Sequence, residues 1–203
     1  MAGRPSDTTD ALAHRIAAAP HVGAADEAHV RIKDWLAEIA DTPAGVNLRR
    51  LFAAHPMLDA LMAGLAESSP HLWGLARAEP ERLVALLEAE PERRFNDILA
   101  GARGAIAAAP DEAAAMRLLR RMKTEAALLI ALADIGGVWP VMRVVELQTM
   151  LADAAVGAAV DYLLGDARRH GKLDIVESAP PAQGSGYIVL AMGKMGAGEL
   201  NYS

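Results

Sequence analysis

The stretch PDEAAAMRLLRRMKTEAALLIALADIGG, Pro110 to Gly137, decides the fold class. Its second residue, Asp111, suits a helix N-cap, and its last two residues, Gly136 and Gly137, suit a helix stop. Between them, apolar residues recur at spacings of three and four, which is typical of a buried helix face. The predicted buried residues are Leu118, Leu119, Met122, Ala126, Leu129, Ile130 and Ala133. The stretch therefore predicts a long amphipathic helix.

The same helix carries a group of cations. They are Arg117, Arg120, Arg121 and Lys123. Such a group is either a solvated outer face or a binding site for a nucleotide or a partner. Because charged residues normally line the outer face of an amphipathic helix, we favour the solvated face.

The sequence on both sides is helical as well. A second long helix is predicted from Pro140 to Gly165 or Gly171, with Val144, Val145, Leu147, Leu151, Ala155, Ala159, Tyr162 and Leu163 facing inward. Upstream, DEAHVRIKDWLAEIA predicts a helix that buries Val30, Ile32, Trp35, Leu36 and Ile39. Pro56, Pro70, Pro80 and Pro91 each predict the first position of a short helix. We expect Trp35, Trp73 and Trp139 to anchor the core or the helix junctions.

Composition excludes several classes of function. The chain has 203 residues, 53% of them hydrophobic and only 4% aromatic, which favours a helical core. A net charge of -6 argues against a nucleic-acid partner. The absence of cysteine excludes disulfides and suits the cytoplasm. We predict no targeting segment, no membrane span and, because no histidine has an acidic partner at helical spacing, no metal site.

Regular structure breaks at ESAPPAQGSG, Glu177 to Gly186. We predict a disordered lead-in over residues 1–14, a helical region over 15–177, a linker over 178–186 and the start of another domain over 187–203. The last part opens with an apolar run, Tyr187–Ala191, which predicts a buried strand. A lone strand has no partners for its edges, so we expect an N-terminal fragment whose sheet continues beyond Ser203.

A glycine-rich run follows the predicted strand. Gly193, Gly196 and Gly198, with Lys194 among them, would let backbone amides approach an anion closely. The order matches neither the Walker A pattern nor the dinucleotide fingerprint. A structural strand-to-helix turn is the open alternative.

The final residues, GKMGAGELNYS after an apolar strand, resemble the opening of a nucleotidyltransferase core in the glutamine synthetase adenylyltransferase family. SSPHLWGLARAEPERLVALL and the two long helices are similar to the helices of that family. The resemblance covers about Ser68 to Ser203. It implies a mainly α fold: a helical bundle followed by the first strand and glycine loop of a truncated α/β, polymerase-β-like core.

The resemblance also implies a function. The family has two cores: the first removes AMP from a modified tyrosine with phosphate and releases ADP, and the second attaches AMP from ATP. The implied partners are glutamine synthetase and a PII-type signalling protein. The match near the N-terminus points to the first core. The alternative is a non-catalytic helical docking module for glutamine synthetase or a signalling protein.

The implied site is only partly inside this chain. Gly193, Lys194, Gly196, Gly198 and Ser203 are the candidate nucleotide and phosphate contacts. Lys194 stands where the wider superfamily often has serine, and Glu199 is a weaker candidate. The resemblance places the aspartates that hold Mg²⁺ just beyond Ser203, so we expect no catalytic residue in the chain and no activity from the chain alone.

Overall fold

The computed structural model describes residues 10–174, 182 and 185–202. The described elements are α1 (Leu12–Arg15), α2 (Ala25–Glu38), α3 (Pro43–Ala54), α4 (Pro56–Ser68), α5 (Pro70–Ala78), α6 (Pro80–Leu87), α7 (Pro91–Ala107), α8 (Glu112–Ile135), α9 (Val141–Arg169) and α10 (Gly193–Gly196). They form two compact units. Unit 1 comprises residues 10–95 and 128–140, and unit 2 comprises residues 96–127 and the described residues after 140.

Proline sets the start of five helices in succession. The helices α3 to α7 begin at Pro43, Pro56, Pro70, Pro80 and Pro91. The first helical residue needs no amide hydrogen, and proline already has a helical φ, so it fits there at no cost. Thr42 and Ser69 cap two of these helices by accepting from backbone amides. The four helix starts predicted from proline are confirmed.

The core of unit 1 includes the second half of α8. Leu128 to Ala133 are all at most 3% exposed, which is typical of a helix covered on every side. The same unit buries large side chains from its other helices, among them Leu48, Leu58, Leu61, Leu86 and Phe95. Trp35 and Trp73 meet edge to face, with ring centroids 5.3 Å apart. The expectation that the tryptophans anchor the core is confirmed.

Unit 1 also contains a hydrogen-bonded cluster that the sequence did not reveal. The carboxylate of Glu92 accepts from Arg15 at 2.6 and 2.9 Å and from the indole of Trp139 at 2.7 Å. Burial by itself would raise the pKa of Glu92, but the bonds from Arg15 and Trp139 outweigh it and lower that pKa to about 2. The cluster ties the first helix to the start of α7 and to the residue before Pro140.

The folded part begins earlier than predicted. Leu12 and Ala13 are buried, and the Leu12 amide donates to the carbonyl of Ala89 at 2.8 Å. The predicted lead-in, residues 1–14, therefore overlaps a packed helix, because two apolar side chains find a place in the core. Residues 1–9 lie outside the described part of the chain.

Unit 2 is built on the first half of α8 and on α9. Asp111 caps α8, since its carboxylate accepts from the Ala114 amide at 2.7 Å, as predicted. One face of α8 packs on α9 and α7 through a small core. That core comprises Ile106, Ala109, Ala114, Ala115, Ala158 and Tyr162, with Leu118 and Leu119 partly buried against it.

Both long helices end in the same way. After α8, the amides of Val138 and Gly137 donate back to Ala133 and Asp134, and Gly137 has φ +69°. After α9, Lys172 and Gly171 repeat the pattern, and Gly171 has φ +65°. This is a Schellman stop, in which glycine takes the left-handed position. The predicted stop at Gly137 is confirmed, and α9 ends at the later of its two predicted glycines.

Two predicted inward residues point to solvent. Val30 is 54% exposed and Leu163 is 53% exposed. On α9 the buried positions are Val144, Leu147, Leu151, Ala158 and Tyr162, so the buried face is narrower than predicted. A face inferred from periodicity alone is too wide when the neighbouring helices cover only part of it.

Length and hydropathy alone would let α9 cross a membrane. Its most apolar window has a mean hydropathy of 1.2, and in the described residues it is the one helix that passes this test. The test is weak for a single helix, because the core helix of a soluble protein passes it too. Here α9 carries Asp153 and Asp161 along its length and buries one face in unit 2.

The predicted strand is not formed. Tyr187–Ala191 has no regular secondary structure, and its side chains are exposed. No other strand occurs within residues 10–174 and 185–202 with which it could pair. Most of the predicted linker, including residues 178–181, lies outside the described residues.

The prediction about histidine partners was wrong. His170 lies 3.4 Å from the carboxylate of Asp166 four residues earlier, and His29 lies 3.3 Å from Asp59. Each pair contains a single carboxylate. Across the part of the chain that the structure describes, no three histidine or acidic side chains gather as metal ligands.

Candidate functional site

The glycine-rich run folds into one helical turn. Met192 is extended, α10 covers Gly193–Gly196, and the chain turns again at Ala197 and Gly198. At Gly196 a Cβ would lie 2.5 Å from the carbonyl oxygen of Ala191, so only glycine fits without movement. The turn is therefore compact against the extended segment that enters it.

Gly198 closes this turn with the same stop that ends α8 and α9. The amides of Glu199 and Gly198 donate to the carbonyls of Lys194 and Met195 at 2.7 and 3.1 Å. Gly198 has φ +72°, the left-handed conformation that this stop requires. The spacing of the glycines thus has a structural reason as well as a chemical one.

The closed turn uses amides of the run that was predicted to contact phosphate. Those of Gly196 and Ala197 donate to the carbonyls of Met192 and Gly193 at 3.3 and 3.0 Å. With Gly198 and Glu199, four successive amides are occupied inside the turn. In this conformation they do not form an anion cradle, and phosphate contact by them would require the turn to open.

Lys194 projects from the turn into solvent. Its Nζ lies 3.4 Å from Oδ1 of Asn201, and the side chain is exposed. Such a lysine is free to move to an anion as a point charge. Glu199 is exposed too. Ser203, the last predicted contact, lies outside the described residues.

The turn is attached to α9 by a residue that the sequence did not single out. The Leu200 amide donates to Oγ1 of Thr149 at 3.3 Å, and that hydroxyl donates to the carbonyl of Val145 at 3.0 Å. Thr149 therefore links the end of the turn to the backbone of α9. A threonine within an apolar helix is a weak signal, because its hydroxyl usually bonds the preceding turn.

A cavity of about 380 Å³ lies between α9, α7 and the extended segment. Its wall is mostly apolar and includes Val156, Val160, Tyr187, Val189, Ala191 and Met195. Two carboxylates, Asp153 and Asp161, and the guanidinium of Arg103 supply the charge. A mostly apolar cavity with a few convergent polar groups is typical of a binding site or of an incomplete core.

Asp161 is held in place at the wall of this cavity. It pairs with Arg103 at 3.1 Å and accepts from the Ala182 amide at 3.3 Å. Its side chain is only 15% exposed, whereas that of Arg103 is 67% exposed. Because both of its oxygens already accept hydrogen bonds, Asp161 serves here to hold the chain rather than to bind a metal.

The residues present do not fit a Mg²⁺ site. Magnesium prefers several carboxylate or carbonyl oxygens in octahedral geometry. The glycine turn contributes one carboxylate, Glu199, and the described residues contain no cluster of three metal-ligating side chains.

The sequence matches the model of a known protein family. Residues 58–203 match the family glutamate-ammonia ligase adenylyltransferase. The chain belongs to this family. The predicted resemblance is thereby confirmed, and it begins somewhat earlier than Ser68.

Curated relatives in the family extend the likeness to nearly the whole chain. The bifunctional glutamine synthetase adenylyltransferase/adenylyl-removing enzyme of Bradyrhizobium diazoefficiens is 51% identical over 96% of this chain. The proteins of the same name from Rhodopseudomonas palustris strain BisB5 and Xanthobacter autotrophicus are 48% and 43% identical, over 95% and 100% of it.

The chain covers 19%, 19% and 20% of the lengths of these three relatives, or about a fifth. No solved structure matches the chain. The activities for which these relatives are named therefore belong to proteins about five times as long as this chain.

Proposed function

We propose that this chain contributes to adenylyl transfer that controls glutamine synthetase, in the cytoplasm and in the service of nitrogen assimilation. Family membership carries the proposal, because the relatives are named for this modification. In the proposal, residues 12–169 are the helical support, and Tyr187–Ala191 with the glycine turn opens the first nucleotidyltransferase core. PII-type signalling proteins are proposed regulators.

The proposed reaction of the first core is phosphorolysis. An oxygen of inorganic phosphate attacks the phosphorus of the tyrosine-bound AMP, the bond from phosphorus to the tyrosine oxygen breaks, and ADP leaves. The tyrosine oxygen takes up a proton. The second core would attach AMP from ATP. Such transfers depend mainly on positioning and on neutralising oxygen charge.

Within this chain, Lys194 is the proposed contact to a phosphate oxygen. It is the cation of the glycine turn, it is exposed, and its neighbour Asn201 offers only a long hydrogen bond. Gly193, Gly196, Gly198 and Ser203 complete the proposed nucleotide contacts. The carboxylates proposed to hold Mg²⁺ are not among the residues of this chain.

One observation favours the alternative, a non-catalytic docking module. Four amides of the glycine turn are already used within the turn, as a purely structural turn requires. Under this alternative, Lys194 is a solvated residue and its removal changes no rate.

The experiment uses the full-length enzyme, meaning a gene product of the relatives' length that carries this sequence. Given adenylylated glutamine synthetase, phosphate and Mg²⁺, it should release ADP. Lys194→Ala should raise KM for phosphate or lower kcat, while Lys172→Ala, an exposed lysine after α9, should act as the unchanged control.

The outcomes separate the alternatives. No ADP from the full-length enzyme would refute the adenylyl-removing proposal, and equal kinetics for both lysine variants would favour the structural turn. The 203-residue chain alone should release no ADP in the same assay. ADP release by it, abolished by Lys194→Ala, would mean that the active site has been placed wrongly.

A further inference from the structure

The first half of α8 carries four cations within seven residues. Arg117, Arg120, Arg121 and Lys123, which we call the basic patch, are all exposed. None of them forms an ion pair in the described part of the chain. By contrast, carboxylates pair with Arg15, Arg50, Arg82, Arg103, Arg143 and Arg169.

This arrangement opposes helix stability. Arg117 lies three and four residues before Arg120 and Arg121, and Arg120 lies three before Lys123. Like charges at these spacings repel and weaken a helix slightly. Acidic residues are abundant in a chain of net charge -6, yet among the described residues no carboxylate forms an ion pair with this patch.

The packing of α8 fixes the direction of the patch. The opposite face, which includes Ala114, Ala115, Leu118 and Leu119, packs into the small core with Ala158 and Tyr162 of α9. The cations therefore lie on the outside of unit 2.

The same helix α9 also holds the glycine turn, through Thr149 and the Leu200 amide. The basic patch and the turn are thus supported by one helix of one compact unit. A partner bound at the patch would be held on the scaffold that carries the candidate site.

We propose that the basic patch docks an acidic surface of the protein substrate. This inference rests on the proposed function, under which that substrate is glutamine synthetase. Four cations on a strongly acidic chain are too few for a nucleic-acid backbone, which requires an excess of lysine and arginine. A protein surface of opposite charge needs only a local match, and such charges act mainly on the association rate and its salt dependence.

The test is a charge reversal in the full-length enzyme. The patch variant is Arg120→Glu/Arg121→Glu. The control is Lys33→Glu/Arg77→Glu, which changes the net charge equally at exposed cations of unit 1 that form no ion pair within the described residues. Steady-state ADP release gives KM for adenylylated glutamine synthetase and kcat, at low salt and at ~0.5 M salt.

At low salt, the patch variant should raise KM about tenfold with kcat unchanged, and the control should raise it less than about twofold. The difference should shrink at high salt, because salt screens exposed charges. Arg120→Lys/Arg121→Lys should retain the low KM, since it keeps the charge. Arg120→Gln/Arg121→Gln, with helicity checked by circular dichroism, gives an intermediate KM and guards against misfolding by the reversal.

Equal effects of the patch and control variants would overturn the proposal, and so would an unchanged KM. Patch-dependent binding to RNA or to anionic vesicles, with KM for glutamine synthetase unaffected, would overturn it too. These failures leave ADP release by the parent enzyme intact. Failure of the proposed function removes ADP release altogether, so the two are distinguishable.

Discussion

Two apolar segments of this molecule are buried to opposite extents. Leu128 to Ala133 in α8 are at most 3% exposed, whereas Tyr187 to Leu190 are 53% to 77% exposed. The difference lies in how each satisfies its backbone.

A helix closes its hydrogen bonds within itself, so α8 can bury its side chains with whichever neighbours the chain supplies. An extended segment must find another strand before its amides and carbonyls are paired. The described residues offer Tyr187–Ala191 no such strand. The comparison shows that helical burial needs only packing, while strand burial needs a partner of the right kind.

The largest expected effect is a matched pair of truncations. In the 203-residue chain, Leu132→Ala should lower the free energy of unfolding by about 3–4 kcal/mol, because it opens a cavity in a fully buried site. Leu190→Ala should change it by less than about 0.5 kcal/mol, because that side chain is 77% exposed. Denaturant titration measures both.

The readout can be assigned to one unit. Trp35, Trp73 and Trp139 all belong to unit 1, so their fluorescence follows the unit that contains Leu132. Circular dichroism follows both units. A large loss of stability from Leu190→Ala in this chain would show that the extended segment is packed in solution, contrary to its exposure in the structure.

The features that sequence predicted are the local ones. Proline at helix starts, the Asp111 cap and the Gly137 stop each depend on a few neighbouring residues. The buried face of α9 was predicted too wide, because Leu163 is exposed only as a consequence of what packs nearby.

The residues of the candidate site were predicted from their chemical types, whereas the hydrogen bonds that shape the site were seen only in the structure. Sequence identified Gly198 as a phosphate-contact candidate, but its role as a helix stop depends on two bonds, from the Glu199 amide to Lys194 and from its own amide to Met195. Thr149 was missed because it lies 51 residues from its partner Leu200. The Glu92 cluster was missed for the same reason, since Arg15 is 77 residues away and Trp139 is 47.

That cluster gives the second prediction, a pH dependence within unit 1. The pKa of Glu92 falls from 4.5 to about 2 on folding, so the folded state favours the charged carboxylate. The resulting stability is fully present above pH 4.5 and is lost as the pH falls toward 2. Because the side chain is a third exposed, we expect a contribution of only about 1–2 kcal/mol.

Glu92→Gln should remove this contribution. Tryptophan fluorescence during denaturation at several pH values should give a curve for the variant that is flatter between pH 4.5 and 2 than that of the parent. Glu81→Gln, an exposed glutamate in the first turn of α6, is the matched control and should retain the slope. A parent and a Glu92 variant with the same slope would mean that Arg15 and Trp139 do not hold the carboxylate in solution.

The smallest expected effect concerns two glycines of unit 2 and differs in sign. Gly198→Ala should destabilise its turn by about 1 kcal/mol, because an alanine at φ +72° is strained. Gly104→Ala should stabilise α7 by about 0.5–1 kcal/mol, because it lies within the helix and a Cβ there meets nothing within 4 Å. Amide hydrogen exchange resolves both changes locally: faster exchange is expected at Glu199, whose amide closes the turn, and slower exchange along α7. If Gly198→Ala leaves the exchange at Glu199 unchanged, the turn is already open in solution, and its amides are then available to a phosphate. In that case the glycine turn would differ from α8 and α9. The same glycine stop would follow a stable helix after α8 and after α9, but an open loop at Gly198.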